Sequence, residues 1–361
     1  MTKLDQLAEA GQSIWYDFIR RDMLTGGGLS ALVNDGVRGV TSNPSIFQQA
    51  IAQSDLYDSQ ILELGNVSAA TAFEALAVDD IRAAADILRS VYDNTDAHDG
   101  YVSLEVSPTL AHDSAGTIAD GMRLWNMVDR PNLMIKVPAT NEGIPAITEL
   151  TAAGININAT LMFSLADYES VALAYIEGAR RAASPDRLAS VASFFVSRVD
   201  NATDAALTRV GSGQAQALLG TIAIANAKAA YARYIELFEG DAFADLARVG
   251  VSPQRVLWAS TSTKNPEYRD VMYVEELIGP NTVNTAPPAT IEAFEDHGVV
   301  KVDSLLGDIQ QAITTIESLP SIGVDFDQIT SQLQIDGVKS FADSYESLLQ
   351  SIESKQAAIA S

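Results

Sequence analysis

Lys136 stands in the run NLMIKVPATNEG (132–143), between Ile135 and Val137 and just ahead of Pro138. Leu133, Met134, Ile135 and Val137 read as a short buried strand. An ammonium inside such a strand costs several kcal/mol unless it is paired or gives up its proton. The second outcome is useful chemistry, because a neutral amine in a desolvated pocket can attack a ketone and form a Schiff base. A carboxylate beside it can move the protons that this requires. The resulting iminium is its own electron sink, so carbon–carbon cleavage next to a ketone needs no metal and no organic cofactor.

Polar residues recur in the same setting elsewhere in the chain. Asp17 stands between Tyr16 and Phe18, and Glu105 between Leu104 and Val106. Thr41 shares one strand parity with Asn43, Asn158 with Thr160, and Ser193 with Phe195, while Ser260 and Ser262 close a seventh run. Side chains on a strand alternate faces, so each polar residue points away from its apolar neighbours. A single Asp, Asn or Thr near a strand end is usually a turn residue or a helix cap. Recurrence at one level of several strands instead argues for convergence on one cavity. Arg198 follows the sixth run and Lys264 the seventh, and both could supply positive charge to a phosphate. Such charge has to be local, because 23 basic against 47 acidic residues give a net charge of −24.

The elements that would position these residues alternate. Strand-like runs at 13–19, 39–44, 102–106, 133–138, 157–163, 189–196, 256–261 and 275–284 are separated by helical patterns. PSIFQQAIA starts with Pro44, a favoured first helical residue. SLADYESVALAYIEGARRAA has Ser164 as N-cap with Asp167 three residues on. ALLGTIAIANAKAAYARYIELF reads as another long helix. Eight strands alternating with helices predict an α/β fold, a (β/α)8 TIM barrel with additional helices, its functional groups at the C-terminal strand ends. A doubly wound open sheet is the structural alternative, but no nucleotide-binding glycine fingerprint follows the first strand. The GGG at 26–28 reads as a flexible loop. Beyond about residue 300 two helical segments, SLLGDIQQAITTIESL and 341–359, follow without a strand. The expected organisation is a barrel over 1–300 and a C-terminal helical extension over 301–361 packed on it.

Composition narrows the classes. The chain has no cysteine, which excludes thiol catalysis, disulfides and thiolate metal sites. His98, His112 and His297 are far apart and show no metal-ligand spacing. The acidic balance disfavours nucleic acid and anionic membrane as partners. No apolar run reaches the length of a membrane span and the N-terminus has no signal core, so a cytoplasmic location is expected.

VTSNPSIF (40–47), VSLEVSP (102–108), MIKVPAT (134–140), INATLMFS (157–164), ASFFVSRVD (192–200) and WASTSTKN (258–265) occur in the order seen in transaldolases, and residues 10–300 resemble that family. The resemblance implies a cofactor-free barrel of the pentose phosphate pathway with phosphorylated sugars as substrates, a monomer or homodimer. Such an enzyme moves a dihydroxyacetone unit from sedoheptulose 7-phosphate to glyceraldehyde 3-phosphate, giving erythrose 4-phosphate and fructose 6-phosphate. It implies Lys136 as the Schiff-base lysine and Asp17 as the acid/base at the donor C4 hydroxyl. Glu105 and Thr160 would hold the water of Schiff-base formation and breakdown. Asn43, Asn158 and Ser193 would bind the dihydroxyacetone unit; Arg198, Lys264 and Ser260 or Ser262 would bind the phosphate. The chain differs from many members in FIRRD after Asp17, in Lys264 where they carry Arg, and in its longer C-terminal extension. The rivals are a fructose-6-phosphate aldolase, which Phe195 disfavours because it has no hydroxyl to position a water, and a noncatalytic sugar-phosphate-binding barrel.

Overall fold

The computed structural model describes residues 1–359, with side chains to 358. Among them eight parallel strands close into one barrel in chain order. They are β1 (Gln12–Tyr16), β2 (Gly39–Val40), β3 (Tyr101–Glu105), β4 (Leu133–Pro138), β5 (Ile157–Met162), β6 (Ser190–Phe195), β7 (Arg255–Ala259) and β8 (Thr282–Ala286). β8 pairs back onto β1, with Trp15 opposite Thr285. Helices join successive strands, as parallel pairing requires. The (β/α)8 architecture read from the alternation is the one the chain adopts.

Outward strand residues such as Leu104, Ile135, Val137 and Ala159 are buried against the helices. Local signals set the helix starts. Pro44 opens the helix Pro44–Ala52, and Ser164 with Asp167 forms a capping box for Leu165–Arg181. Large side chains pack the interior towards the N-terminal end. Trp15 is fully buried there and donates to Asp99 at 2.9 Å. Arg255 pairs with the same carboxylate at 3.2 Å. Gly39 makes room for the indole, since a Cβ on it would lie 2.5 Å from the ring.

Two local readings change. The eighth strand begins at Thr282, not at Glu275. Glu275 instead ends a short helix, Met272–Glu275, and accepts two bonds from Arg269 at 2.9 and 2.8 Å. Gly279 and Pro280 then precede the ladder, and a proline has no N–H to give to it. The GGG at 26–28 is an ordered junction of two helices, Arg21–Thr25 and Gly28–Asp35, with Gly27 at φ +82° between them.

After residue 300 the chain forms the helices Ile309–Ser318 and Phe326–Ile359. The first is shorter than its sequence pattern and the second begins well before Phe341. The last two residues of the expected 301–361 extension lie outside the described residues. The helix Phe326–Ile359 packs on Pro44–Ala52, on Ala69–Asn94 and on Ser197–Val210, and touches β5. It therefore lies over the C-terminal side of the barrel. Among the described residues no helix is long and apolar enough to cross a membrane.

Candidate active site

Register places three of the polar residues in one row. Glu105 on β3 is opposite Lys136 on β4, and Lys136 is opposite Asn158 on β5. Lys136 is 5% exposed. Its Nζ donates to the Ser42 carbonyl at 3.0 Å and lies 3.4 Å from Glu105 Oε2. Ser42 is itself fixed, because its hydroxyl donates to the Ser103 carbonyl at 2.7 Å. The amine is thus tethered from β2 and β3.

Among the described residues, two buried oxygens near it have no hydrogen-bond partner, Glu105 Oε2 and Thr160 Oγ1. The Glu105–Lys136 contact is close enough for charge attraction but lacks hydrogen-bond alignment. Burial pushes the Glu105 carboxyl above the usual carboxylate range, and the Lys136 charge partly opposes this. A buried unpartnered acceptor costs about 1–3 kcal/mol, so two of them beside one amine mark a place built for a further polar group.

A cavity of about 240 Å³ opens over Lys136 at the C-terminal strand ends. Nine of the eleven expected site residues line it: Lys136, Asp17, Thr160, Asn43, Ser193, Arg198, Ser260, Ser262 and Lys264. The other two sit differently. Asn158 is fully buried beneath Ser193; it accepts from Ser193 Oγ at 2.7 Å and donates to Ser103 Oγ at 3.0 Å. Glu105 lines a neighbouring cavity of about 360 Å³, bounded by the helices Ala69–Asn94 and Ser114–Val128 and by Tyr345. Asn43 and Glu105 stand on the wall of that second space, and Asn43 faces both.

Each side chain is held for a local reason. Asn43 caps the helix Pro44–Ala52 with its Oδ1, which accepts from Ile46 N at 2.9 Å. That leaves its NH2 group available as a donor. Asp17 accepts from Thr41 Oγ1 at 2.6 Å, and Thr41 is in turn 2.6 Å from Thr285 Oγ1. Burial raises the Asp17 carboxyl above its usual range; the Thr41 bond, Lys136 and Arg198 hold it back. Arg198 rests on the Phe195 ring, 5.2 Å from its centre, and burial draws its guanidinium downward against the pull of Asp17. Lys264, at the exposed rim, donates to Ser262 Oγ at 2.7 Å. Among the described residues neither cation lies within 4 Å of a carboxylate, unlike most arginines of this acidic chain.

Two of the eight non-glycine residues with positive φ among the described residues lie at the same level. Leu161 and Ser260 both have positive φ, +62° and +57°. Leu161 lies within the bulge between Ala159 and Met162, where β5 carries one more residue than β6, directly after Thr160. Ser260 closes onto the helix Ser197–Val210 through its carbonyl to Ser197 N at 3.0 Å. Such conformations cost of order 1–3 kcal/mol each and persist where the surroundings hold them.

Of the six wall residues outside the expected set, three are informative. Thr41 was within reach of the parity argument, since it shares a face with Asn43. Thr285 was missed because the eighth run, read as 275–284, ended one residue short of it. Phe341 comes from the last helix, where no strand pattern points to it. Its ring centre is 5.8 Å from Lys136 Nζ.

A closed parallel barrel whose C-terminal rim joins a buried amine, two carboxylic side chains and hydroxyls defines a class: barrels equipped for amine chemistry on a carbonyl. Residues 14–352 match the family model for transaldolase/fructose-6-phosphate aldolase, and the chain belongs to that family. It is 49% identical over 356 residues to a transaldolase of Frankia alni, covering 97% of this chain and 96% of that one. It is 46% identical to a transaldolase of Thermobifida fusca, with 98% of each chain covered. A transaldolase of Saccharopolyspora erythraea is 47% identical, with 97% of each covered.

Proposed function

We propose that this chain is a transaldolase that carries a dihydroxyacetone unit on Lys136 between phosphorylated sugars. The observation that supports it most is that one cavity holds a buried amine at depth and, above it, two cations that have no carboxylate partner among the described residues. The full-length relatives named transaldolase favour the same reading.

In this reading Arg198 and Lys264, with Ser260 and Ser262, bind the donor phosphate. Lys136 Nζ attacks the ketone of sedoheptulose 7-phosphate, and the carbinolamine loses water held by Glu105 and Thr160. Their unpartnered oxygens suit that water. Asp17 takes the C4 hydroxyl proton, the C3–C4 bond breaks, and its electron pair flows into the iminium to give an enamine. Erythrose 4-phosphate leaves. A carboxyl raised towards neutrality can take and return a proton. The Asn43 amide, and Ser193 backed by Asn158, hold the bound three-carbon unit. Glyceraldehyde 3-phosphate accepts the enamine carbon, Asp17 returns the proton to the new C4 oxygen, and water releases fructose 6-phosphate. We place this activity in the cytoplasm, where such metabolites occur.

The rival within the family is an aldolase that hydrolyses the intermediate and frees dihydroxyacetone. Phe195, packed on Phe163 at 5.1 Å and covered by Arg198, brings no hydroxyl to the cavity. Transfer is therefore favoured. Cleavage of fructose 6-phosphate with and without erythrose 4-phosphate separates the two. Turnover that depends on the acceptor is expected; equal rates in its absence would make the chain an aldolase.

A further inference from the structure

The helix Phe326–Ile359 does more than pack on the barrel. One of its faces is fastened along the strand ends that carry the reactive groups. Gln334 Nε2 donates to the Ala139 carbonyl after β4 at 2.9 Å and to the Leu161 carbonyl of β5 at 3.3 Å. One turn on, Gly337 lies so close to Leu161 that a Cβ on it would sit 3.0 Å from that side chain. Phe341 follows another turn on, 4% exposed and part of the cavity wall above Lys136. Ser344 bonds Ser45 at 2.8 Å, and Lys355 reaches Asp58 at 2.7 Å. The spacing of 334, 337, 341 and 344 is that of a single helical face.

The fastening locates the Phe341 ring beside the Lys136 amine without any polar atom of its own. Its position is fixed from both sides, by the carbonyl clamp at Gln334 and by the serine pair at Ser344. The ring forms part of the wall of the cavity through which bulk solvent would reach a carbon bound to Nζ. We propose that Phe341 is a specificity-determining residue: it keeps bulk solvent from delivering a proton to the enamine carbon on Lys136, so that the three-carbon unit is transferred to an aldehyde rather than released.

This rests on the transaldolase reading, since it concerns the fate of the same intermediate. Release takes three steps. The enamine carbon gains a proton from solvent, water adds to the iminium carbon, and the C–N bond breaks to give dihydroxyacetone and the free amine. The water is the one that Glu105 and Thr160 hold in every turnover, so the proton is what bulk solvent must bring into the cavity. Replacing phenylalanine by alanine removes a volume several times the roughly 30 Å³ share of one water. Excluding water from reactive intermediates is a recognised way in which closed sites suppress side reactions.

The test is a partition ratio. Fructose 6-phosphate is supplied to the full chain, and free dihydroxyacetone is measured against transfer to erythrose 4-phosphate. Phe341→Ala is expected to raise the ratio of release to transfer roughly tenfold, and Phe341→Leu to keep it within about twofold. Phe341→Val should fall between them, and it carries the test if the alanine variant does not fold. A merely structural role would lower both rates together and leave the ratio where it was, which would overturn the proposal. Borohydride trapping on the unaltered chain keeps the two readings apart. A Lys136 adduct with an unmoved ratio defeats only the role of Phe341, whereas no adduct defeats the transaldolase reading beneath it.

Discussion

Glu105 Oε2 and Lys136 Nζ face each other from adjacent strands at the same level, 3.4 Å apart, with each side chain only 6% exposed. Such a pair is sensitive to the loss of either member, because the survivor is left as an uncompensated buried charge.

The loss of Lys136 should therefore show in stability as well as in rate. Burial lifts the folded-state pKa of Glu105 above its ordinary 4.5, and Lys136 restrains that rise. The folded chain then holds the Glu105 proton to higher pH than the unfolded chain does. Between the two values the folded state binds more protons, so stability falls as pH rises through that window. Lys136→Met removes the restraint and widens the window upward from 4.5. The variant is expected to show no transfer, and to lose more thermal stability than the parent between mildly acidic and mildly alkaline pH. Melting midpoints of both chains across that range measure it, and parallel curves would speak against a coupled pair.

Thr41 should tune Asp17. Its hydroxyl bond at 2.6 Å stabilises the Asp17 carboxylate against the burial that raises it. Without that bond the carboxyl keeps its proton to higher pH. In Thr41→Val the acidic limb of the pH–rate profile should move upward, with turnover at the parent's acidic midpoint several-fold lower. Superimposable profiles would mean that Asp17 does not carry the proton.

Arg198 and Lys264 should act on the phosphate and not on the carbonyl chemistry. A hydrogen bond to a charged group contributes about 1.5–3 kcal/mol, so Arg198→Ala should raise KM for fructose 6-phosphate about tenfold to a hundredfold. Lys264 sits at the exposed rim and makes a less fixed contact, so Lys264→Ala should cost roughly tenfold or less. Cleavage of unphosphorylated fructose should change little in either. An equal loss on both sugars would place these cations elsewhere in the mechanism.

The sequence made the barrel and most of its rim legible for one reason: strand parity is local. Lys136, Glu105, Asn158 and Thr160 each sit between apolar neighbours whose outward burial fixes where the polar side chain points. The eighth strand escaped because EELIG is as apolar as a strand, yet Glu275 pairs with Arg269 at a helix end and Pro280 delays the ladder. Thr285 lies one residue past the end of the run read as 275–284. The bulge at Leu161 shifts the alternation just after Thr160, and nothing in TLMF announces a positive φ. Phe341 was out of reach altogether. A helical pattern tells which face is apolar, but which strand ends that face covers is decided by docking between segments about two hundred residues apart in sequence.

The central claim, that Lys136 is the nucleophile, is tested most directly by borohydride reduction of the chain in the presence of fructose 6-phosphate, followed by peptide mass mapping. The account predicts one stable dihydroxyacetone adduct, on the peptide that contains Lys136. An adduct on any of the other six lysines, or none at all, would contradict it.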